Sequence, residues 1–109
     1  MNRDAAVAVS IAAVAVFTSA AALAEDANRI VQNGRAFHPL EITVDRGATV
    51  DFSNEDEFIH QIYVDVEGFG YDSAEQPPGE VFHIQFPNAG TFPVRCHIHP
   101  KMLLTVHVK

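Results

Sequence analysis

Beyond residue 24 the apolar residues of this chain recur at every second position in short runs, and Gly, Pro and Asn separate the runs. Leu40, Ile42 and Val44 share one phase while Glu41, Thr43 and Asp45 take the other. Arg46-Gly47 then turns the chain into Val50 and Phe52, which predicts a hairpin with one buried face. His60, Ile62 and Val64 alternate with Ile59, Gln61 and Tyr63, and Phe82, Ile84 and Phe86 alternate with Val81, His83 and Gln85. After the turn residues Pro87-Asn88-Ala89-Gly90, one phase holds Phe92, Val94 and Cys96, and a last one holds Met102, Leu104, Val106 and Val108. Alternation of this period marks half-buried strands, and no segment of helical period is long enough to compete. The pattern predicts an all-β domain of about seven short strands in a sandwich or barrel. Residues 67–79, with two glycines and the Pro77-Pro78 pair, form the longest irregular stretch, an excursion between sheets with room for a short helical turn.

The first two dozen residues follow another rule. Residues 5–24 are almost wholly Ala, Val, Ile, Leu and Phe and end in Ala22-Leu23-Ala24, a small-x-small cleavage site behind an apolar core. The charge ahead of it is thin, since Asp4 offsets Arg3, so a retained membrane anchor is the competing reading. Alanine is weakly apolar and makes a poor spanning segment, which favours a signal peptide over residues 1–24 and a single domain over 25–109. Cleavage leaves 85 residues, a size at which a hydrophobic core alone is marginal and a metal or disulfides often help. Disulfides are excluded within the chain, because Cys96 is its only cysteine. An unpaired thiol in an oxidising compartment needs an occupant, and metal is the obvious one.

Charge narrows the function further. The formal net charge of −7 disfavours nucleic acid as a partner. Apart from Glu55-Asp56-Glu57 the acids are dispersed, as expected for a solvated surface that also steers a positively charged partner.

The alternation places His60, Cys96 and Met102 on the inward phase of their strands. A lone inward histidine is usually a hydrogen-bonded structural residue. Here it is not alone, for Cys96-His97-Ile98-His99-Pro100-Lys101-Met102 sets a thiolate, an imidazole and a thioether at spacings of three where two strands join. Soft sulfur with imidazole selects copper or zinc, and two histidines, one cysteine and a weak axial methionine make a type 1 copper site. The candidate ligands are therefore His60, Cys96, His99 and Met102, for one Cu(I)/Cu(II) ion.

At these residues the chain resembles the cupredoxins of the amicyanin, plastocyanin and pseudoazurin group. The resemblance rests on Cys96, His99, Pro100 and Met102, which match the family's Cys-x-x-His-Pro-x-Met loop, and on Asn54, six residues before His60. Gly34-Arg35-Ala36-Phe37 and His60-Gln61-Ile62-Tyr63-Val64 also resemble a methylamine-utilisation group of cupredoxins. It covers nearly all of residues 30–109 and implies a Greek-key β-sandwich of seven to eight strands with copper at one end under a near-surface His99. It also implies that Asn54 ties its loop to the Cys-bearing strand, and that Pro100 supports the ligand loop.

Two positions depart from the family pattern. His97 follows Cys96 where relatives carry a small residue; alternation points it to solvent, while its place among the ligands makes it a possible accessory ligand or copper entry point. Lys101 replaces an aromatic residue of the partner surface, which would then be formed by Phe58, Ile59 and Lys101, with Pro100 adding to an apolar ring around His99. His38, His83 and His107 fall on outward or loop positions and are expected to be ordinary surface histidines.

The resulting expectation is a periplasmic monomer, not an enzyme, that carries single electrons between redox protein partners such as a dehydrogenase and a cytochrome-like acceptor. No nucleic acid and no stable membrane association after signal cleavage are expected. The alternatives are a copper carrier that delivers the ion, favoured by the histidine-rich loop, and an accessory role in maturing another metalloenzyme.

Overall fold

The computed structural model describes residues 28–109, so the expected signal peptide lies outside the described residues. Nine strands follow one another: β1 (Arg29–Gln32), β2 (Phe37–His38), β3 (Glu41–Val44), β4 (Thr49–Asn54), β5 (Ile62–Val66), β6 (Phe69–Asp72), β7 (Val81–Gln85), β8 (Gly90–Cys96) and β9 (Leu103–Val108). They form two sheets, ordered β2-β1-β4-β7 and β3-β9-β8-β5-β6. Pairing is antiparallel except for the parallel pairs β1 with β4 and β3 with β9. The all-β sandwich expected from the alternation is present, with nine strands in place of seven to eight; the short strands β1, β2 and β6 fall where no alternating run marked them.

The alternation sets which side chains face inward. In β8 every second residue is buried, placing Phe92, Val94 and Cys96 in the core, and in β9 Leu104, Val106 and Val108 do the same. Ile30, Val50, Phe52 and Ile84 supply the core from the other sheet. Phe37 meets Phe52 edge-on at 6.2 Å, and Phe69, Phe86 and Phe92 pack ring against ring at 5.4–5.9 Å, far along β8 from Cys96. Such pairs add to the gain from apolar burial and leave the Cys96 end for polar residues.

Two expectations change. Residues 40–44 and 50–52 do not pair as a hairpin: β3 lies against β9, and β4 lies between β1 and β7 in the other sheet. The turn at Gly47, with φ of 86° and its amide donating to the Phe86 carbonyl, is a corner between sheets. Alternation states which face is apolar, not which strand is the neighbour, and two strands on opposite sheets bury their faces in one core equally well. Leu40, assigned to the inward phase, precedes β3 and is exposed. The stretch 67–79 holds a strand, β6, in place of a helical turn; no helix occurs among the described residues.

Phe52 tests the core directly. Phe52→Ala is expected to cost about 3–5 kcal/mol, because a fully buried ring is lost together with its packing on Phe37. Urea unfolding of the metal-free protein measures this, and a loss below about 1 kcal/mol would contradict the packing described.

Candidate metal centre

Three segments that are distant in sequence meet at one pole of the sandwich. Cys96 ends β8, and the turn that follows, closed by the Met102 amide donating to the His99 carbonyl at 3.0 Å, swings His99 back over the sulfur. His60 sits just before β5 and exchanges two backbone hydrogen bonds with Gln76, at 2.7 and 3.1 Å. The pairing of Ile62 with Cys96 sets the register between these segments. As a result His60 Nδ1 lies 3.6 Å from Cys96 Sγ and 3.2 Å from His99 Nδ1. One donor atom from each of His60, Cys96 and His99 falls within 4.8 Å of the others. His60 and Cys96 are buried and His99 is half-buried.

Asp56 determines which imidazole nitrogen of His60 faces the sulfur. Burial pushes its carboxyl up, but hydrogen bonds from the Arg35 amide, the His60 ring and the Gly34 amide outweigh this, and its pKa lies below the ordinary carboxylate value. An ionised carboxylate only accepts hydrogen bonds. His60 Nε2 therefore donates to Asp56 Oδ2 at 2.8 Å, which leaves the lone pair on Nδ1 and aims it at Cys96 and His99. The amides of Gly34 and Arg35 donate to the two oxygens of Asp56 at 2.7 and 2.9 Å. Gly34 and Arg35 have φ of 65° and 55°, and this left-handed pair turns both amides towards one anion.

Asn54 organises the same loop. Its amide nitrogen donates to the carbonyls of Phe58 and Gln76 at 2.8 and 2.9 Å, and its oxygen accepts from the Asp56 amide at 2.9 Å. None of these partners is on the Cys96 strand, so the expected tie from Asn54 to that strand is not formed. Gln76 extends the network, donating to the carbonyls of Phe52 and Glu80 and accepting from Gln32. A hydrogen bond from the Gln61 amide, at 3.4 Å, reaches the Cys96 sulfur. His99 is left without a carboxylate partner; burial first, then the neighbouring His60 ring and the Arg35 guanidinium, hold its pKa below the usual imidazole value.

Two imidazole nitrogens and a sulfur, converging at a largely buried point without a carboxylate among them, fit a soft transition-metal ion. Residues 24–109 match the family of copper binding proteins described as plastocyanin/azurin. The chain belongs to this family of copper-binding cupredoxins. Its cofactor is copper, and the His-Cys-His cluster fits one type 1 ion.

Among solved structures, the purple cupredoxin from Nitrosopumilus maritimus is 27% identical, with a TM-score of 0.67 over 74% of this chain and 98% of that one. The copper-containing nitrite reductase from Thermus scotoductus is 29% identical with a TM-score of 0.68, but the likeness covers 74% of this chain and only 22% of that one. Amicyanin from Paracoccus versutus shares the fold, with a TM-score of 0.71 at 22% identity over 77% of this chain and 82% of that one. Among curated proteins the chain finds no match. These likenesses reach the cupredoxin family and not the narrower methylamine-utilisation group.

The remaining candidates of this cupredoxin fall as follows. Met102 is buried at the end of the ligand turn. Pro100 lies beside His99 at the surface, and Phe58 meets the His99 ring edge-on at 5.9 Å. Ile59 is exposed at the same pole. His97 points away from the cluster: its ring lies flat on Tyr63 at 3.8 Å and its Nε2 approaches Asp72 at 3.2 Å. Of the two readings of His97, this placement agrees with the outward one given by alternation and not with the accessory ligand. His38, His83 and His107 bond Asn33, Asp51 and Glu41 at the surface, as expected.

The residue that sequence reasoning missed is Asp56. It reads as one member of an acidic surface triplet, and only its position four residues before His60 hints otherwise.

Asp56→Ala is expected to weaken copper binding about 10–100-fold, because the carboxylate that orients a ligand imidazole is lost. Competition with a chelator measures this, and unchanged affinity would contradict the orienting role. His97→Ala, in contrast, is expected to leave affinity and absorption spectrum unaltered.

Proposed function

We propose that this cupredoxin is an exported electron carrier that binds one copper ion through His60, Cys96, His99 and Met102 and passes single electrons between redox proteins. The observation that carries this reading is the convergence of His60 Nδ1, Cys96 Sγ and His99 Nδ1 within 4.8 Å at the end of a rigid sandwich. Copper supplies the chemistry by cycling between Cu(I) and Cu(II), with no bond made or broken in a substrate. The chain's part is to keep the donors in place across that cycle. Cys96 is fixed by β8 and the Gln61 amide, His60 by Asp56 and Gln76, and His99 by the short turn to Met102. A site that moves little requires little reorganisation when its charge changes. Met102, buried at the end of the same turn, would complete the set with a weak thioether donor.

His99 provides the way out for the electron. It is the donor residue that reaches the surface, in a notch lined by Ile98 and Pro100, and Phe58 borders its ring. The copper-delivery alternative drew on the histidine-rich loop. His97 is engaged by Tyr63 and Asp72, so it adds no donor to the cluster, which favours electron carriage. A periplasmic location follows from reading residues 1–24 as a cleaved signal peptide. Partners would be redox proteins such as a dehydrogenase and a cytochrome-like acceptor, met by a monomer.

The expected result with copper added to the purified protein is an intense sulfur-to-copper charge-transfer band in the visible spectrum, with a reversible one-electron couple. Cys96→Ser is expected to abolish the band. Its survival in that variant would overturn the thiolate assignment, and ready loss of copper to a chelator without a reversible couple would favour delivery.

A further inference from the structure

Cationic side chains border the notch through which His99 reaches solvent, in a chain whose net charge is −7. Gly34, Arg35, Ile98, His99, Pro100 and Lys101 line this cavity of about 430 Å³. Arg35 is brought there by the left-handed turn that also serves Asp56, so its placement is tied to the metal-site scaffold. Its guanidinium carbon lies 4.1 Å from the centroid of the Phe58 ring, and that ring in turn borders His99.

Among the described residues Arg35 and Lys101, like Arg46 and Arg95 elsewhere, form no ion pair within 4.0 Å, whereas Arg29 and Lys109 are paired with Glu55 and Asp45. Asp56, the acid of this pole closest in the network, is occupied by His60 and two backbone amides. The pole therefore combines exposed apolar side chains, Phe58, Ile59 and Ile98, with two exposed cations that are in no ion pair. This combination suits an interface with an apolar centre and a charged rim.

We propose that the notch is the docking point for a redox protein that presents Asp and Glu carboxylates around an apolar contact, received by Arg35 and Lys101. The inference rests on the electron-carrier reading and names the chemistry of the partner at that site. Charge then selects orientation. The acidic body, expected from the sequence to steer a positively charged partner, repels an acidic one on approach, while Arg35 and Lys101 attract it at the pole where His99 provides the short electron path. A rim charge acts on association rate and its salt dependence more than on the contact itself.

The test uses the copper-loaded protein with two probes, ferricyanide and horse cytochrome c made acidic by succinylation of its lysines. Removing both charges in the double variant R35Q/K101Q is expected to slow electron exchange with the acidic cytochrome about tenfold at low ionic strength, after correction for any change in driving force. The difference should vanish at about 1 M salt, where the screening length is about 3 Å. Lys101→Gln alone, which leaves the Arg35 turn intact, is expected to give part of the same loss. An unchanged rate with the acidic cytochrome would overturn the docking proposal, as would a loss confined to ferricyanide, which would mark a small-anion site. Failure of the wild-type protein to exchange electrons reversibly with ferricyanide would instead overturn the electron-carrier reading beneath it.

Discussion

The hydrogen bond from His60 Nε2 to Asp56 is the interaction on which the metal pole depends. An imidazole offers a lone pair from either nitrogen, and burial alone does not choose between them. The carboxylate chooses, by accepting the Nε2 proton and leaving Nδ1 directed at Cys96 and His99. The choice is secured from outside the loop, since Asp56 is held by the amides of a left-handed Gly34-Arg35 turn and by Asn54 at the end of β4. A network of this kind keeps its geometry because its buried polar groups, Gln32 Oε1 excepted, have partners, and removing a member leaves others unpaired.

The two sheets divide the work. One contributes the Asn54 end of β4 and the Gly34-Arg35 turn, which orient His60. The other carries Cys96 on β8 and leads into the turn that bears His99 and Met102. The aromatic cluster of Phe69, Phe86 and Phe92 consolidates the sandwich away from the pole. Apolar packing thus sets the relative position of the sheets, and the polar network sets the last ångström at the metal. For a cupredoxin this separation is useful, because the donors are positioned by the fold and need not rearrange when the oxidation state changes.

Much of this was legible in the sequence, for local physical reasons. The alternation in β8 and β9 gives the inward faces directly, and the spacing from Cys96 to Met102 brings sulfur and imidazole together within one turn. His60 was recognisable because its phase, shared with Ile62 and Val64, points it inward. What was not legible depends on pairing between distant segments. The corner at Gly47 has the same alternation as a hairpin, so the sheet exchange between β3 and β4 leaves no local trace. Asp56 has the composition of a surface acid and becomes part of the site only through residues about twenty positions earlier in the chain. His97 was open both ways, since its place among the ligands suggests a donor while alternation points it outward, and the structure lays it on Tyr63.

The central claim is that the fold holds one sulfur and two imidazole nitrogens at a single point, whatever the oxidation state of the metal. X-ray absorption at the copper edge, recorded on the loaded protein in its oxidised and reduced forms, tests it most directly. The account predicts a first coordination sphere of one short copper–sulfur contact and two copper–nitrogen contacts that changes little between the two forms. A sphere of nitrogen and oxygen alone, or one whose donor number changes on reduction, would contradict it.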